Sequence, residues 1–361
     1  MSAKQVFRPV RVIITIIIVL LLIALGYVAY VFIAYKRIPD NQELEVSDGT
    51  STPVSTDTEY KMVSYNTGFG AYEPDFSFFM DGGSESWAFS KERLTKNMQA
   101  MTDYLSGLDT DILLLQEVDK NATRTYHVDE TKYLKKAVQG NSVFAVNWDS
   151  SFLFYPVTQP HGKSLSGILT LSSFQIDNAV RRQIPVEDSA MKIVDLDRCY
   201  SKSYLPVAGT EKKLALYNVH MSAYTSDGTV ADKQLEQLLA DMEDEFAKGN
   251  YCISGGDLNK DLLGDSSEYF GIKGDQYSWA KPIKLEFFEG KHLQLICSGN
   301  APSSRIADAP YNPQQFVALL DGFIVSDNVE VISKETIDTQ FAYSDHNPIT
   351  MQFKLKSEYA D

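Results

Sequence analysis

Near its C-terminus the chain reads Phe341-Ala342-Tyr343-Ser344-Asp345-His346-Asn347-Pro348, placing an acid beside an imidazole where a strand should begin. Upstream, Tyr65-Asn66, Gln116-Glu117, Asn218-Val219-His220, Gly256-Asp257-Leu258-Asn259 and Leu320-Asp321-Gly322 each lie at the end of an apolar run. One carboxylate at a strand terminus is ordinary. Six segments that each bring Asn, Asp, Glu or His to such a terminus describe one metal-assisted site at one edge of a sheet core. Glu117 suits a hard cation such as Mg2+, which takes oxygen ligands, keeps several waters and needs only one or two protein carboxylates. Asp257 and Asn259 are two residues apart and so share one face of an extended chain. That pair can orient a water and hold a phosphoryl oxygen. The same residue types also cap turns, and Gly255-Gly256 permits a sharp turn or a close backbone approach.

His220 and His346 are two of only five histidines, and both fall inside these polar clusters. His346 needs a carboxylate to fix its tautomer and raise its basicity. Asp321 interrupts the apolar run Leu319-Leu320-Asp321-Gly322-Phe323-Ile324, and an unpaired buried acid is costly. An Asp321–His346 pair resolves both. His127, His161 and His292 lack such company and read as surface or loop residues. Arg124, after the Glu117 run, and Arg305, before Pro310-Tyr311, are candidate substrate-anion ligands, with plain surface arginines as the alternative.

The elements that must position these residues follow from periodicity. Lys61 to Asn66 alternates like a strand, and an aromatic, Gly-rich stretch from Gly68 to Trp87 follows it, too long for a turn and too aromatic for disorder. Ser90 opens a helix with Leu94, Met98, Met101 and Leu105 on one face and Gly107 at its end. Asp111 to Val118 is a continuous apolar run that ends in acid, as a strand buried on both faces does. Strands are expected at Gly167–Leu171, Met191–Leu196, Lys213–Val219, Asn250–Ser254, Leu319–Ser326 and Ile349–Leu355. A helix over Thr229–Lys248 turns Leu235, Leu238, Leu239, Met242 and Phe246 inward. Strands outnumber helices, and the helices fall between strand groups, which fits two packed sheets with helices outside.

The ordered set Tyr65-Asn66, Gln116-Glu117, Asn218-Val219-His220, Gly256-Asp257-Leu258-Asn259, Leu320-Asp321-Gly322 and Ser344-Asp345-His346 resembles the endonuclease/exonuclease/phosphatase superfamily, over about residues 60 to 355. That group holds deoxyribonucleases, abasic-site endonucleases, neutral sphingomyelinases and inositol polyphosphate 5-phosphatases. The resemblance implies a four-layered α/β sandwich with Mg2+, or Mn2+ in its place, at one sheet edge. It implies Glu117 as principal metal ligand, with Asn66 nearby and Asp345 in support. It gives Asp257 and Asn259 the attacking water and the phosphoryl group, makes His346 with Asp321 a base or transition-state stabiliser, and puts His220 on phosphate oxygens or the leaving group. The long aromatic loop after Asn66-Thr67-Gly68 departs from the family's short connection.

The remainder of the chain sets the context. It has 361 residues, 22% charged and 44% hydrophobic, an ordinary globular composition. No charge interrupts Val12 to Tyr35, and 24 such residues make a helix of about 36 Å, against a hydrocarbon core of about 30 Å. A cleaved signal peptide has a shorter apolar region and a small-residue cleavage site, so this run reads as an uncleaved signal anchor behind a short tail, residues 1–11. Lys4, Arg8 and Arg11 with the amino terminus outweigh Lys36 and Arg37, which favours a cytoplasmic N-terminus and an extracellular domain. Residues 36–57, polar and without aromatics, read as a solvated stalk, and the folded domain is expected over 58–361. The first 57 residues carry five charges of each sign, so the domain keeps the entire net charge of −15, which argues against a protein that holds polyanions on a broad basic surface. Bound cations can still supply local positive charge. Cys199, Cys252 and Cys297 form no framework and read as free thiols.

These readings favour a membrane-anchored, metal-dependent phosphoesterase acting on a lipid headgroup or another small phosphoester. An extracellular endonuclease on DNA or RNA, and an inactive ligand-binding ectodomain, are the alternatives.

Overall fold

The computed structural model describes residues 3–35, 37–47, 49–187, 192, 196–223, 229–272 and 280–360. Among them, two seven-stranded sheets face each other. The first runs, edge to edge, through Gln42–Leu44, Asn178–Gln183, Cys199–Pro206, Lys213–His220, Tyr251–Asp257, Asp321–Ser326 and Leu293–Ile296. The second runs through Val329–Thr336, Ile349–Leu355, Tyr60–Asn66, Ile112–Ala122, Ser164–Ser172, Asn141–Asp149 and Val46–Ser47.

Strand alternation distributes the apolar residues between layers. Ile112 and Leu114 point into the interior shared by the sheets, where Met62 and Phe353 join them from their own sheet and Leu214, Leu216, Ile253 and Phe323 from the facing one. Leu113 and Leu115 point outward, onto Leu94, Met98, Met101 and Leu105 of the helix Lys91–Ser106. Ser90 caps that helix, its hydroxyl accepting from Arg93 N at 3.1 Å. On the far side the helix Thr229–Ala247 lays Leu235, Leu238, Leu239 and Met242 on Tyr217, Val219, Cys252 and Ile324. The result is the expected sandwich of helix, sheet, sheet and helix. The aromatic loop is packed as well: Phe69, Tyr72, Phe76 and Phe78 interlock edge to face in the outer layer beside the helix Lys91–Ser106. All three cysteines are free. Most of the strand expected at Met191–Leu196 lies outside the described residues.

At the N-terminus a helix runs from Ala3 to Ala34, continuous with the expected tail. Its Pro9–Ala34 portion is long and apolar enough to cross a membrane.

The segment 36–57 is not a solvated stalk. Gln42–Leu44 pairs with Asn178–Gln183 at the edge of one sheet, and Val46–Ser47 pairs with Asn141–Asp149 at the edge of the other. Val54 is fully buried and exchanges backbone bonds with Pro206 and Ala208. The fully buried Arg181 reaches the carbonyls of Ile38 and Pro39 at 3.4 and 3.3 Å. Leu44, Val46 and Val54 anchor this edge on the core, but the polar residues between them, paired through backbone groups, conceal the strands. The domain therefore begins near residue 38. A chain starting at residue 38 is expected to unfold about 5 °C or more above one starting at residue 58, followed by circular dichroism; equal midpoints would restore the loose stalk.

Candidate active site

Three neighbouring strands end in one register row, with His220 beside Asp257 in a parallel pair and Asp321 opposite it in an antiparallel one. The row closes tightly because Gly256 has φ 155°, and a Cβ there would lie 2.0 Å from the Val219 carbonyl oxygen. The facing sheet supplies Glu117 through an irregularity. Its pairing slips between Leu115 and Val118, and Glu117 adopts φ 53°, a conformation uncommon outside glycine. A slip of this kind re-aims a side chain. The Thr67 hydroxyl holds it in place by donating to the carbonyls of Gln116 and Glu117 at 2.9 and 3.0 Å.

Hydrogen bonds then fix each group. Asn66 Nδ2 donates to Glu117 Oε1 and to Asp257 Oδ2, both at 3.1 Å, while its Oδ1 accepts from Gly68 N. Asn66 thus clamps two carboxylates and turns its nitrogen, rather than a ligand oxygen, toward them. Asp257 Oδ1 accepts from Asn259 N at 2.9 Å, and Asn259 Nδ2 donates to Met221 O at 2.8 Å. The turn-capping reading therefore holds for these atoms, while Oδ2 of Asp257 faces the histidines. The expected pair forms: His346 Nδ1 is 2.8 Å from Asp321 Oδ2. His346 Nε2 is 3.8 Å from Asp257 Oδ2, and His220 Nε2 is 3.6 Å from the same oxygen and 3.8 Å from Glu117 Oε1.

Burial and crowding drive these groups apart in basicity. Burial, with Asp321 close by, raises Asp257 to about 7. Burial, with Glu117 adding to it, raises Asp345 to about 6. Burial opposes charge on His346, but the carboxylates of Asp321, Asp257 and Asp345 outweigh it and hold the imidazole well above its usual value. Burial, reinforced by Arg198 and His346, pushes His220 well below its own. Around a single carboxylate, one histidine therefore favours its charged form and the other its neutral form.

Glu117, His220, Asp257, Asn259, Asp345 and His346 line one cleft. Asn66 and Asp321 support them from behind. Arg124 and Arg305 also line it, but neither is a surface arginine. Arg124 is buried, with Nε and Nη2 on Asp119 at 2.9 Å each and its guanidinium 3.7 Å from the Phe69 ring centroid. Arg305 is buried with Nη1 and Nη2 on the carbonyls of Ile306, Tyr72 and Glu73. Both add positive charge to the wall while these donors are engaged by the protein.

Two cleft residues carry no signal in the sequence. Arg198 lines it with Nε and Nη1 buried and, among the described residues, without hydrogen-bond partners. It directly precedes the strand Cys199–Pro206, whose polar alternation conceals it. His161, expected on the surface or in a loop, is buried against Trp148 and lines the cleft. Burial, then Arg124, lowers it to about 3. Conversely, Gln116 and Asn218 bond to each other across the sheets at 2.8 Å and do not line the cleft.

The donors suit a hard divalent cation. Among the described residues the tightest donor group is Asp257, Asp321 and His346, within 4.8 Å of one another, but Asp321 and His346 already satisfy each other. Glu117, Asp257 and Asp345 are left as oxygen donors at the cleft, and their crowding is what a cation relieves.

The sequence from residue 63 to 346 matches the profile of the Endonuclease/Exonuclease/phosphatase family. The chain belongs to that family. Family members are hydrolases of phosphate esters. No curated protein sequence matches the chain. Solved structures share the fold. An endonuclease/exonuclease/phosphatase from Beutenbergia cavernae superposes with TM-score 0.57 at 14% identity, over 82% of this chain and 72% of its own. A family protein from Bacteroides thetaiotaomicron gives 0.54 at 14% identity, over 86% and 99%. ANGEL2, a 2',3'-cyclic phosphatase solved with adenosine-2',3'-vanadate, gives 0.52 at 13% identity, over 87% and 99%.

Gly256→Ala is expected to destabilise the domain by about 3 kcal/mol or more, because neither the Val219 carbonyl nor the φ can give way. Urea denaturation within about 1 kcal/mol of the parent would show that the row tolerates a side chain.

Proposed function

We propose that this protein is a membrane-anchored, Mg2+-dependent phosphoesterase whose substrate is a lipid headgroup or another small phosphoester. The observation that carries the reading is the row His220–Asp257–Asp321, whose His220 and Asp257 line one cleft with Glu117 and His346 while Asp321 holds His346. Glu117, with Asp345, holds the cation, and Mn2+ fits the same oxygen donors. A bound divalent cation neutralises phosphate charge and acidifies its water. Asp257, raised to about 7 by burial, has the basicity of a general base near neutral pH, and its Oδ2 is the oxygen available to take a proton from the attacking water. Asn259 lies beside it and orients the phosphoryl group. His346, kept charged and correctly turned by Asp321, donates its Nε2 hydrogen to the phosphoryl oxygens as negative charge develops. Neutral His220 serves the leaving-group side. Arg198 offers free donors to a phosphate oxygen.

The apolar helix Pro9–Ala34 supports a single-pass anchor, and the charges flanking it favour a cytoplasmic N-terminus with the catalytic domain outside. The acidic domain favours a small phosphoester over nucleic acid.

Turnover by the full chain in detergent-lipid mixtures, with Mg2+ and with EDTA, tests this reading. Asp257→Asn and His346→Ala are each expected to lower kcat by about 1000-fold or more with the fold intact; near-normal turnover in either folded variant would remove that residue from the mechanism. Glu117→Gln should move the Mg2+ titration midpoint upward by about tenfold or more, and an unmoved midpoint would strip it of the ligand role. A panel of sphingomyelin, phosphoinositides, inositol phosphates, DNA and RNA reads out the substrate. Hydrolysis of nucleic acid alone would overturn the lipid or small-phosphoester assignment. Mg2+ binding without turnover of any member would leave a binding domain.

A further inference from the structure

The strand Asn141–Asp149 ends beside the cleft residue Trp148, and the chain returns to the cleft at His161. Between them it presents Phe152, Phe154, Tyr155 and Val157 to solvent, exposed by 39, 51, 71 and 67%. Scattered exposed apolar residues need no explanation, but four within six positions form a patch that marks an interaction surface.

What covers this patch follows from where it sits. Tyr27 Oη donates to Phe152 O and accepts from Phe154 N, both at 3.0 Å. Tyr30 Oη accepts from Phe152 N at 3.2 Å. The rings of Tyr27 and Phe154 lie 6.1 Å apart. Both tyrosines belong to the apolar helix that ends at Ala34. At 1.5 Å per residue Tyr30 and Tyr27 are about 6 and 10 Å from that end, in the outer part of the spanning segment nearest the interface where tyrosines concentrate. A loop bonded to this part of a spanning helix must sit at the same depth. The helix exit is itself held to the domain, with Ile38 N donating to Asp197 Oδ2 at 3.2 Å and Arg181 bonded to the next carbonyls. The apolar surface also continues toward the cleft. Tyr155 packs 5.9 Å from Phe79, and the neighbouring Met80, 57% exposed, lines the cleft mouth.

We propose that Phe152–Val157 is a second membrane-contacting element, which enters the same leaflet as the outer end of the helix and holds the cleft mouth at headgroup level. The substrate is then a phosphoester of a bilayer lipid. That substrate assignment rests on the phosphoesterase reading above; the insertion itself does not. A single helix fixes attachment but leaves the domain free to tilt, and a second contact beside the cleft sets its orientation.

The test uses the full chain in phosphatidylcholine vesicles. With Cys297→Ser as background, since Cys199 and Cys252 are buried, Val157→Cys carries an environment-sensitive fluorophore. The expected result is blue-shifted emission quenched by lipids with a nitroxide near the headgroup end of the acyl chain. Emission as in water, unquenched, would overturn the insertion. In a second arm, Phe154→Asp with Val157→Asp should lower turnover of a lipid phosphoester in vesicles by about tenfold or more, with turnover of a soluble nitrophenyl phosphoester unchanged. An equal fall on both substrates would overturn the orienting role. Quenched emission together with hydrolysis of nucleic acid alone would retain the membrane contact and overturn the lipid substrate. Quenched emission in a chain that hydrolyses no phosphoester would defeat the phosphoesterase reading alone.

Discussion

Asp257 is buried between two histidines and a second carboxylate, and its environment governs the rest of the site. Burying one carboxylate beside another is unfavourable unless charge arrives to offset it. Here the offset has two parts. His346 favours its charged form because Asp321 holds its Nδ1 at 2.8 Å, and under the proposed function a divalent cation at Glu117 would complete the balance. His220 contributes little, because burial, then Arg198, pushes its basicity well below the usual imidazole value. The arrangement is consistent with the proposed set of a cation, a substrate-facing acid and a fixed proton donor within one cleft, which phosphate-ester hydrolysis uses.

The scaffold holds this set by placing strain where function lies. Glu117 is bent to a positive φ by a slip in strand pairing, Asn259 follows with φ 48°, and Gly256 brings two strands into backbone contact. Such conformations persist because their surroundings over-determine them: the Thr67 hydroxyl, the Asn66 clamp and the apolar packing of four layers. Two sheets contribute because neither alone could surround a carboxylate.

The sequence exposes most of this centre because its residues sit at strand ends, where a polar residue breaks an apolar run. The Asp321–His346 pair follows from the chemistry of each partner, and the structure makes it. Arg198 and His161 escape detection because no local pattern marks them; only the folding of distant segments brings them to the cleft. Residues 42–47 and 54 mislead by composition, since Leu44, Val46 and Val54 reach the core while the polar residues around them dominate the reading. Gln116 and Asn218 have the residue types of a site but bond across the sheets, which shows that a polar residue near a strand end can serve the core instead. Asn66 reaches the centre, though as a clamp on carboxylates.

The proposed chemistry turns on a divalent cation held by the crowded carboxylates at Glu117. Anomalous diffraction from crystals of the protein soaked in Mn2+ tests it directly. A strong peak is expected within about 2.5 Å of a Glu117 carboxylate oxygen, lost in Glu117→Gln. A peak between Asp321 and His346, or no peak at saturating Mn2+, would contradict it.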